Sequence, residues 1–385
     1  MSTIMISCGE PSGDLYAGAL AAEIRSLDHG AHVFGFGGEQ LRAAGADLVG
    51  DYPGLTVTGL VEALRVLPRS LQMYRRLVQA ARVRRPDVLV AIDFPDFNFR
   101  LAGALRRLGI PVVYYVPPQL WAWRRGRLRT IRRLVERVLV IFPFEEQIYR
   151  DAGVRVDFVG HPLLDLARAR ESRAQFLPRL GLRPALSTVA LLPGSRPNEV
   201  ARIVPVLARA AALLSARLGD VQFVVARAPN LDPRLFSPFT AAAGFPLAIV
   251  ESNADEVLAA ADVAITASGT ATVQAAIHLC PMVVVYRLAP LTYRLGRRLV
   301  HVDTFGMVNL VAGRKIVPEL IQDDFTPEAV VGEALRLLTD PVRAAATRAE
   351  LGRVVSRLGA PGASRRAADL VLRIARREGP EPNRL

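Results

Sequence analysis

The chain alternates short, fully apolar runs with longer amphipathic stretches, and turns rich in glycine and proline separate them. In the first half the apolar runs occupy residues 3–7, 33–37, 88–92, 112–116 and 138–142. In the second half they occupy residues 189–192, 221–226, 248–250, 263–266 and 282–286. Such runs are typical of parallel strands covered on both faces, and helical patterns lie between them. The pattern predicts an α/β protein with two doubly wound, Rossmann-like domains.

The domain boundary is predicted near the step Gly160-His161-Pro162, which follows the last strand-like run of the first half. A length of 385 residues is enough for two or three domains. We predict a first domain over residues 1–165 and a second over residues 166–362. Proteins of this architecture send their last helix back to the first domain, so we expect residues 363–385 to complete it.

Composition narrows the classes of function. The chain is 51% hydrophobic with two cysteines in apolar runs, and its N-terminus lacks the basic region of a signal peptide. No stretch has the roughly 18 apolar residues of a spanning helix, so we expect a cytoplasmic protein. The net charge is +13, and nearly all of the positive charge comes from arginine. Because no nucleic-acid module is present, we expect anionic substrates or an anionic membrane surface, and no nucleic acid.

Two strand–glycine–helix turns in the second half indicate phosphate binding. Such a turn aims backbone N–H groups and the positive end of a helix dipole at one point. In the first turn Arg196 adds a planar fork of donors, and Ser195 or Asn198 is a candidate helix cap. The alternative is an ordinary strand–helix connection. The candidate phosphate-site residues are Gly194, Ser195 and Glu199 around Arg196, and Ser268, Gly269, Thr270, Thr272 and Gln274 in the second turn.

The first half has a comparable turn and a candidate general base. Asp93 follows an apolar strand directly, at the edge where open α/β sheets bind ligands. Its neighbours Asp96 and Asn98 are either site residues or helix caps. The turn after the first strand contributes Gly9, Glu10, Ser12, Gly13 and Asp14, of which Ser12 and Asp14 are also candidate caps.

Aromatic and basic side chains mark two further segments of the first half. Trp121 and Trp123 precede Arg124, a combination that suits sugar stacking or anion binding as well as a core anchor. His161 is a candidate ligand contact, although a lone turn histidine is more often structural.

Within residues 57–79, leucines at helical spacing alternate with arginines, and Pro68 is predicted to divide the helix. The candidate membrane surface there comprises Leu64, Arg65, Leu67, Arg69, Met73 and Arg76. The alternative is a core-facing helix with a solvated basic face.

A series of sequence blocks runs in order over most of the chain: residues 9–14 (GEPSGD), 93–98 (DFPDFN), 119–124 (QLWAWR), 142–145 (FPFE), 160–163 (GHPL), 191–196 (LLPGSR), 267–272 (ASGTAT), 281–287 (PMVVVYR) and 318–322 (PELIQ). Together they resemble the lipid-A-disaccharide synthases, inverting glycosyltransferases of the GT-B type, whose two Rossmann-like domains face a cleft.

The resemblance implies transfer from UDP-2,3-diacylglucosamine to 2,3-diacylglucosamine 1-phosphate, with a β-1,6 linkage and release of UDP. It implies no metal or cofactor, a peripheral location on the inner face of the inner membrane, and a homodimer as one possible assembly. It also places Asn309 at the site. The family usually has glutamate where this chain has Gln274, and that acid is expected to bind ribose hydroxyls. The alternatives are a sugar-nucleotide epimerase or hydrolase on the same fold, and a non-catalytic binder of anionic lipid.

Overall fold

A computed structural model describes residues 1–52, 60–118, 125–229, 231–242, 244–288 and 304–378, with residues 60–66 and 125 described by their backbone. The predicted site residues Trp121, Trp123 and Arg124 lie outside these ranges, as do the side chains of Leu64 and Arg65. The chain divides into two compact units. The first comprises Met1–Leu164 and Leu358–Leu385, and the second comprises Asp165–Arg357.

The first unit contains a parallel sheet of seven strands in the described residues, in the order β3-β2-β1-β4-β5-β6-β7. Its central strands consist almost wholly of buried apolar residues, as expected for a sheet covered on both faces. The strands are β1 (Thr3–Cys8), β2 (His32–Gly37), β3 (Asp47–Asp51), β4 (Val88–Ile92), β5 (Val112–Tyr115), β6 (Arg137–Val140) and β7 (Val156–Phe158).

Helices connect these strands, and the first three long ones have proline near their N-termini or within them. They are α1 (Pro11–Leu27), α2 (Glu39–Ala43), α3 (Leu60–Arg84), α4 (Pro95–Arg107), α5 (Leu128–Leu134), α6 (Pro143–Asp151) and the short α7 (Leu163–Leu166), which crosses the boundary between the units. Helix α3 corrects one expectation, because Pro68 lies inside it and does not divide it. Proline removes one backbone hydrogen bond, and packing of the later turns through buried Leu77 and Ala81 supports the helix.

The second unit contains a parallel sheet of six strands in the described residues, in the order β10-β9-β8-β11-β12-β13. They are β8 (Ser187–Leu192), β9 (Val221–Arg227), β10 (Leu247–Glu251), β11 (Val263–Ala267), β12 (Met282–Tyr286) and β13 (Glu319–Ile321). The helices are α8 (Arg173–Arg179), α9 (Pro197–Leu218), α10 (Ser237–Ala241), α11 (Ala254–Ala260), α12 (Thr270–Ile277), α13 (Met307–Ala312), α14 (Pro327–Thr339) and α15 (Pro341–Arg357).

The last described helix, α16 (Ala363–Ala375), packs against α1 in the first unit. Arg366 donates from Nε to the carbonyl of Val159 at 2.9 Å, and Arg376 pairs with Asp28 at 3.0 Å. The hydrogen bond from Arg376 is the main reason why the pKa of Asp28 is lowered. The segment that returns to the first unit begins at Leu358, a few residues before the start predicted from the sequence.

Candidate functional site

In the first unit, the strand order reverses between β1 and β4, and the carboxyl ends of these two strands form the expected ligand edge. Asp93 follows β4 and is half-buried there. Its backbone is left-handed, with φ at +44°, and that of Phe94 is left-handed too, with φ at +48°. Val116 follows the adjacent β5 with φ at +53°, which is rare for a β-branched residue. Strain gathered at one sheet edge is typical of functional sites.

Gly9 brings the turn after β1 close to the turn after β4. A Cβ atom at position 9 would lie 2.3 Å from the ring of Phe94, so only glycine allows this contact. Gly13 lies in the first turn of α1, and a Cβ atom there would be 3.4 Å from the Cβ of Cys8. Glu10 is the N-cap residue of α1, and Ser12 in its first turn is half-buried. The predicted GEPSGD turn therefore packs against the turn that carries Asp93.

Asn98 is fully buried and joins the two strands that form this edge. Its Nδ2 donates to the carbonyl of Asp93 at 2.8 Å and to those of Ile92 and Ser7 at 3.2 Å each. Its Oδ1 accepts from the Ser7 hydroxyl at 2.7 Å. The hydroxyl of Tyr114 donates to the same Asp93 carbonyl at 2.7 Å. Asn98 therefore holds the backbone of Asp93 in place through its carbonyl. It is not a cap of α4, whose N-cap residue is Phe94.

Asp14 is also buried, and its carboxylate serves a neighbouring helix. It accepts from the backbone N–H groups of Gly38 at 2.7 Å, Gln40 at 2.9 Å and Leu41 at 3.2 Å. The carboxylate thus caps the start of α2 and does not cap its own helix, whose N-cap residue is Glu10. Burial, and next the charge of Asp14, raise the pKa of the Cys8 thiol. The structure gives Asp14 a role in holding the turns after β1 and β2 together.

His161 and Asp96 occupy contrasting environments. The His161 ring is buried against Tyr16 and Phe142, with ring centroids 6.0 and 5.1 Å away. Its Nδ1 accepts from the backbone N–H of Leu163 at 3.2 Å, so the neutral ring is the form that fits. Asp96 is exposed and pairs with Arg127 at 2.6 Å. The His161 ring is thus part of the packed interior of the first unit, whereas the Asp96 carboxylate lies at its surface.

Acid is expected to destabilise the first unit through His161. Burial lowers the pKa of His161 to about 3. The unfolded ring titrates near about 6.5, so the unfolded state binds the proton first, and stability present above that pH is lost as the pH falls below it. Between about pH 7.5 and pH 5 the loss should be about 2 kcal/mol. Urea titration followed by tryptophan fluorescence measures it, because Trp121 and Trp123 belong to the first unit's sequence. His161→Asn, which can still accept from Leu163, should flatten the dependence, and the exposed control His29→Asn should not.

In the second unit, β8 and β11 are neighbours at the point where the strand order reverses. Gly194 follows β8 with φ at +111°, a conformation that strongly favours glycine. A Cβ atom there would lie 2.3 Å from an Oε2 atom of Glu199, so this carboxylate lies directly over the turn. Arg196 is the N-cap residue of α9, and its carbonyl accepts from the N–H groups of Glu199 and Val200 at 3.0 Å each. The predicted caps Ser195 and Asn198 are therefore wrong, and Ser195 is exposed in the turn.

The second predicted turn has the same construction at β11. Gly269 has φ at +141° and is the N-cap residue of α12, which begins at Thr270. The hydroxyl of Thr272 donates to the Gly269 carbonyl at 2.8 Å and is buried, so it braces the turn. The hydroxyl of Ser268 donates to the carbonyl of Phe305 at 2.8 Å. Gln274 lies one turn into α12 and is half-buried.

Asn309 reaches its neighbours through both ends of its amide. Its Oδ1 accepts from the N–H groups of Ile316 at 2.8 Å and Val317 at 3.1 Å, and its Nδ2 donates to Glu319 at 2.7 Å. Glu319 in turn accepts from the N–H groups of Phe305 at 2.9 Å and Gly306 at 2.8 Å. Asn309 is fully buried, so in the structure it holds the segment that contacts Ser268.

Comparison with known proteins identifies the family. The family model described as lipid-A-disaccharide synthetase matches residues 4–374. A lipid-A-disaccharide synthase of Syntrophus aciditrophicus is 43% identical over 375 residues, which cover 97% of this chain and 98% of the relative. The enzyme of the same name from Koribacter versatilis is 44% identical over 98% of this chain and 100% of the relative.

The chain belongs to the lipid-A-disaccharide synthase family. The predictions of the family, of a UDP-sugar glycosyltransferase and of a role in lipid A biosynthesis are thereby confirmed, and the epimerase alternative is not favoured. Solved structures confirm the α/β fold with two parallel sheets. A UDP-GlcNAc 2-epimerase from Neisseria meningitidis, bound to UDP-GlcNAc, has a TM-score of 0.70 at 12% identity over 97% of this chain and 100% of its own. A calicheamicin glycosyltransferase has a TM-score of 0.62 at 17% identity over 99% and 100%.

Helix α3, which carries the candidate membrane surface, has exposed apolar and basic side chains. Leu67 is 48% exposed and Leu71 is 45% exposed, and Arg69, Arg75 and Arg76 on the same helix are exposed as well. Met73 does not belong to this surface, because its Cε would be 2.2 Å from a Cβ atom at Gly50 of β3. In the described residues, no helix has the length and apolar character needed to cross a bilayer.

Two residues that sequence reasoning missed are Glu319 and Asp255. Glu319 supports Asn309, and it lies within the PELIQ block that carried the family resemblance. Asp255 accepts a hydrogen bond from Gln274, although 19 residues separate them. The only sequence signal for Asp255 was its position in the first turn of a helix that follows a strand.

Proposed function

We propose that the chain joins UDP-2,3-diacylglucosamine to 2,3-diacylglucosamine 1-phosphate with inversion, forming a β-1,6 linkage and releasing UDP. The observation that carries the proposal is the pair of glycine turns after β8 and β11. Adjacent strands at the reversal of the sheet each lead through a glycine with positive φ into the start of a helix. Two helix starts at one edge provide N–H donors and positive dipole ends for a diphosphate.

The second unit is proposed to bind the donor and to stabilise its leaving group. As the bond between the anomeric carbon and the diphosphate oxygen breaks, negative charge grows on UDP. Arg196, beside the start of α9, and the N–H groups after Gly194 and Gly269 are the donors that we assign to this charge. Arginine suits the role because its planar fork remains charged at all working pH values.

The first unit is proposed to activate the acceptor. The 6-hydroxyl oxygen attacks the anomeric carbon from the face opposite to UDP, and its proton passes to the Asp93 carboxylate. Asn98 and Tyr114 hold the Asp93 carbonyl, so the backbone that carries the base is fixed. Burial raises the pKa of Tyr114, which keeps its hydroxyl protonated as the donor. Asn98 and Tyr114 are thus positioning residues for the base.

The assay that tests the function measures UDP release and the disaccharide product with both acylated substrates. The synthase should release UDP only when the acceptor is present, in equal amounts with the disaccharide. A hydrolase would release UDP from the donor alone, and an epimerase would change the donor sugar without releasing UDP. Either result, or absence of turnover with both substrates, would refute the proposed reaction.

A peripheral location on the inner face of the inner membrane is proposed for the surface of α3. Apolar side chains flanked by arginines insert shallowly into an anionic interface, where the acyl chains of both substrates reside. The exposed Leu67 and Leu71 with Arg69, Arg75 and Arg76 have this composition.

Replacing Leu67 and Leu71 together by alanine is expected to weaken binding to vesicles of 30% anionic lipid by about tenfold or more. Co-sedimentation measures the partition coefficient. Val342→Ala removes a side chain that is 77% exposed in the second unit and should leave binding unchanged. Equal losses in both variants, or equal binding of wild type to neutral and anionic vesicles, would contradict this surface.

A further inference from the structure

Gln274 has an acidic partner on the neighbouring helix. Its Nε2 donates to Oδ1 of Asp255 at 3.3 Å, and Nε2 of His278 lies 2.9 Å from the same oxygen. Because an ionised carboxylate only accepts hydrogen bonds, His278 carries its proton on Nε2. The Asp255 side chain is 21% exposed and that of His278 is 11% exposed. The three side chains therefore form one connected, partly buried group.

These contacts determine which atoms of Gln274 and Asp255 are available for hydrogen bonds to a ligand. The amide of Gln274 presents its nitrogen to Asp255, so Oε1 points away from that carboxylate. In the part of the chain that the structure describes, neither Oε1 of Gln274 nor Oδ2 of Asp255 has a hydrogen-bond partner. Both atoms are hydrogen-bond acceptors, and both belong to side chains that are partly exposed to solvent. The group can therefore accept hydrogen bonds from two neighbouring hydroxyls.

The position of the group fits a diol beside the donor diphosphate. Asp255 lies in the first turn of α11, and α11 packs against α12. Gln274 lies four residues after Thr270, the first residue of α12, which is about one helical turn or 5–6 Å from the proposed phosphate turn. In a nucleoside diphosphate, the ribose with its 2′- and 3′-hydroxyls is the group joined directly to the diphosphate.

We propose that Asp255 carries the negative charge of the ribose subsite in this chain and orients Gln274, so that Asp255 Oδ2 and Gln274 Oε1 accept from the two ribose hydroxyls. This inference rests on the proposed function. Whereas the resemblance implies an acid at position 274, the acid in this chain is Asp255 on the neighbouring helix. His278 and the Gln274 amide hold Asp255 in place, so Asp255 is a ligand and a positioning residue together.

Because Asp255 already supplies a carboxylate, glutamate at position 274 is expected to be harmful in this chain. Glutamate at position 274 would place a second carboxylate about 3.3 Å from Asp255, with no amide hydrogen between them. Like charges so close disfavour the doubly ionised state or push the side chains apart. Removing the charge of Asp255 should then relieve the repulsion and restore an acid–amide pair with the roles exchanged.

A double-mutant cycle with UDP as the probe tests the proposal. Calorimetry on the full chain gives Kd for wild type, Gln274→Glu, Asp255→Asn and the double variant. Each single variant should weaken UDP binding about tenfold, and the double variant should return to within about threefold of wild type. In turnover, the single variants should raise KM for the UDP-sugar with kcat within about threefold. Glu256→Gln, next to Asp255 on α11, is the control and should bind UDP as wild type does.

The same cycle with 2′-deoxy-UDP separates recognition of the diol from a structural effect. Wild type should bind this probe about tenfold more weakly than UDP. The affinity of Asp255→Asn for 2′-deoxy-UDP should be less than about threefold below that of wild type for the same probe. Wild-type affinity in Gln274→Glu, failure of the double variant to recover, or equal losses against both probes would overturn the assignment. If wild type binds neither probe, the proposed donor site itself fails, which is distinct from a failure of Asp255.

Discussion

Asp93→Asn is expected to reduce kcat by about a hundredfold to ten-thousandfold, the usual contribution of a general base. The acceptor hydroxyl must lose its proton as it attacks, and an amide cannot accept that proton. Asparagine is the right replacement, because φ at residue 93 is +44° and asparagine tolerates the left-handed conformation well. Alanine would add backbone strain to the loss of the carboxylate. Initial rates with both acylated substrates give kcat, and calorimetry with UDP should show unchanged binding in the second unit.

The matched control removes a carboxylate elsewhere in the first unit. Asp151 ends α6 and accepts from Gln147 at 2.6 Å on the surface. Asp151→Asn should retain kcat within about twofold. Full activity in Asp93→Asn would exclude the residue as the base. A loss of rate accompanied by an equal loss of UDP affinity would show that the substitution acts through folding.

The sheets were predictable because burial on both faces leaves a signal within a few consecutive residues. Val88–Ile92 and Val263–Ala267 consist almost entirely of apolar side chains, and each is a central strand. Helix limits were harder to predict. The polar, arginine-rich pattern of residues 165–180 predicts one helix, but the structure has the short α7 and, separately, α8, which begins at Arg173 after the capping residue Ser172. A capping box that reads Ser-x-x-Gln marks this start, and the longer amphipathic pattern had concealed it.

The positions of the site residues were predictable from the sequence, but their hydrogen-bond partners were not. Gly194 and Gly269 follow strands in the sequence, and their positive φ values explain why glycine stands there. The roles of buried polar residues depend on contacts that no local pattern records. Asn98 reaches Ser7, 91 positions away, and Asp14 caps a helix that begins 25 residues later, at Glu39. Such pairs become visible only when parallel strands bring the two turns to the same edge.

The left-handed residues at the first site illustrate the same limit. Phe94 and Val116 are bulky residue types that rarely adopt positive φ, and Asp93 belongs to a type that does so more often but is not confined to that conformation. The buried Asn98 and Tyr114 hydrogen bonds to the Asp93 carbonyl show what fixes this backbone. The packed core thus imposes a conformation that the local sequence does not favour, and it places a half-buried carboxylate at the sheet edge.

Arg196→Ala is expected to lower kcat/KM by about a hundredfold to a thousandfold and to weaken UDP binding about tenfold or more. The larger effect on turnover follows because charge on the diphosphate is greatest as the bond to the sugar breaks. Arg196 is the N-cap residue of α9, but its cap uses the carbonyl, which accepts from Glu199 and Val200. The side chain can therefore be removed while this backbone contact stays. Arg196→Lys keeps the charge without the planar fork and should recover only part of the loss.

The control for Arg196 uses the same helix and the same change of charge. Arg217 lies exposed in the last turn of α9, about 30 Å along the axis from its first turn. Arg217→Ala should keep kcat/KM and UDP affinity within about twofold, since only the arginine at the helix start lies beside the glycine turn. Equal losses at both positions would mean that the overall positive charge attracts the anionic substrates. Full activity in Arg196→Ala would instead indicate that the backbone N–H groups after Gly194 and Gly269 stabilise the diphosphate without Arg196.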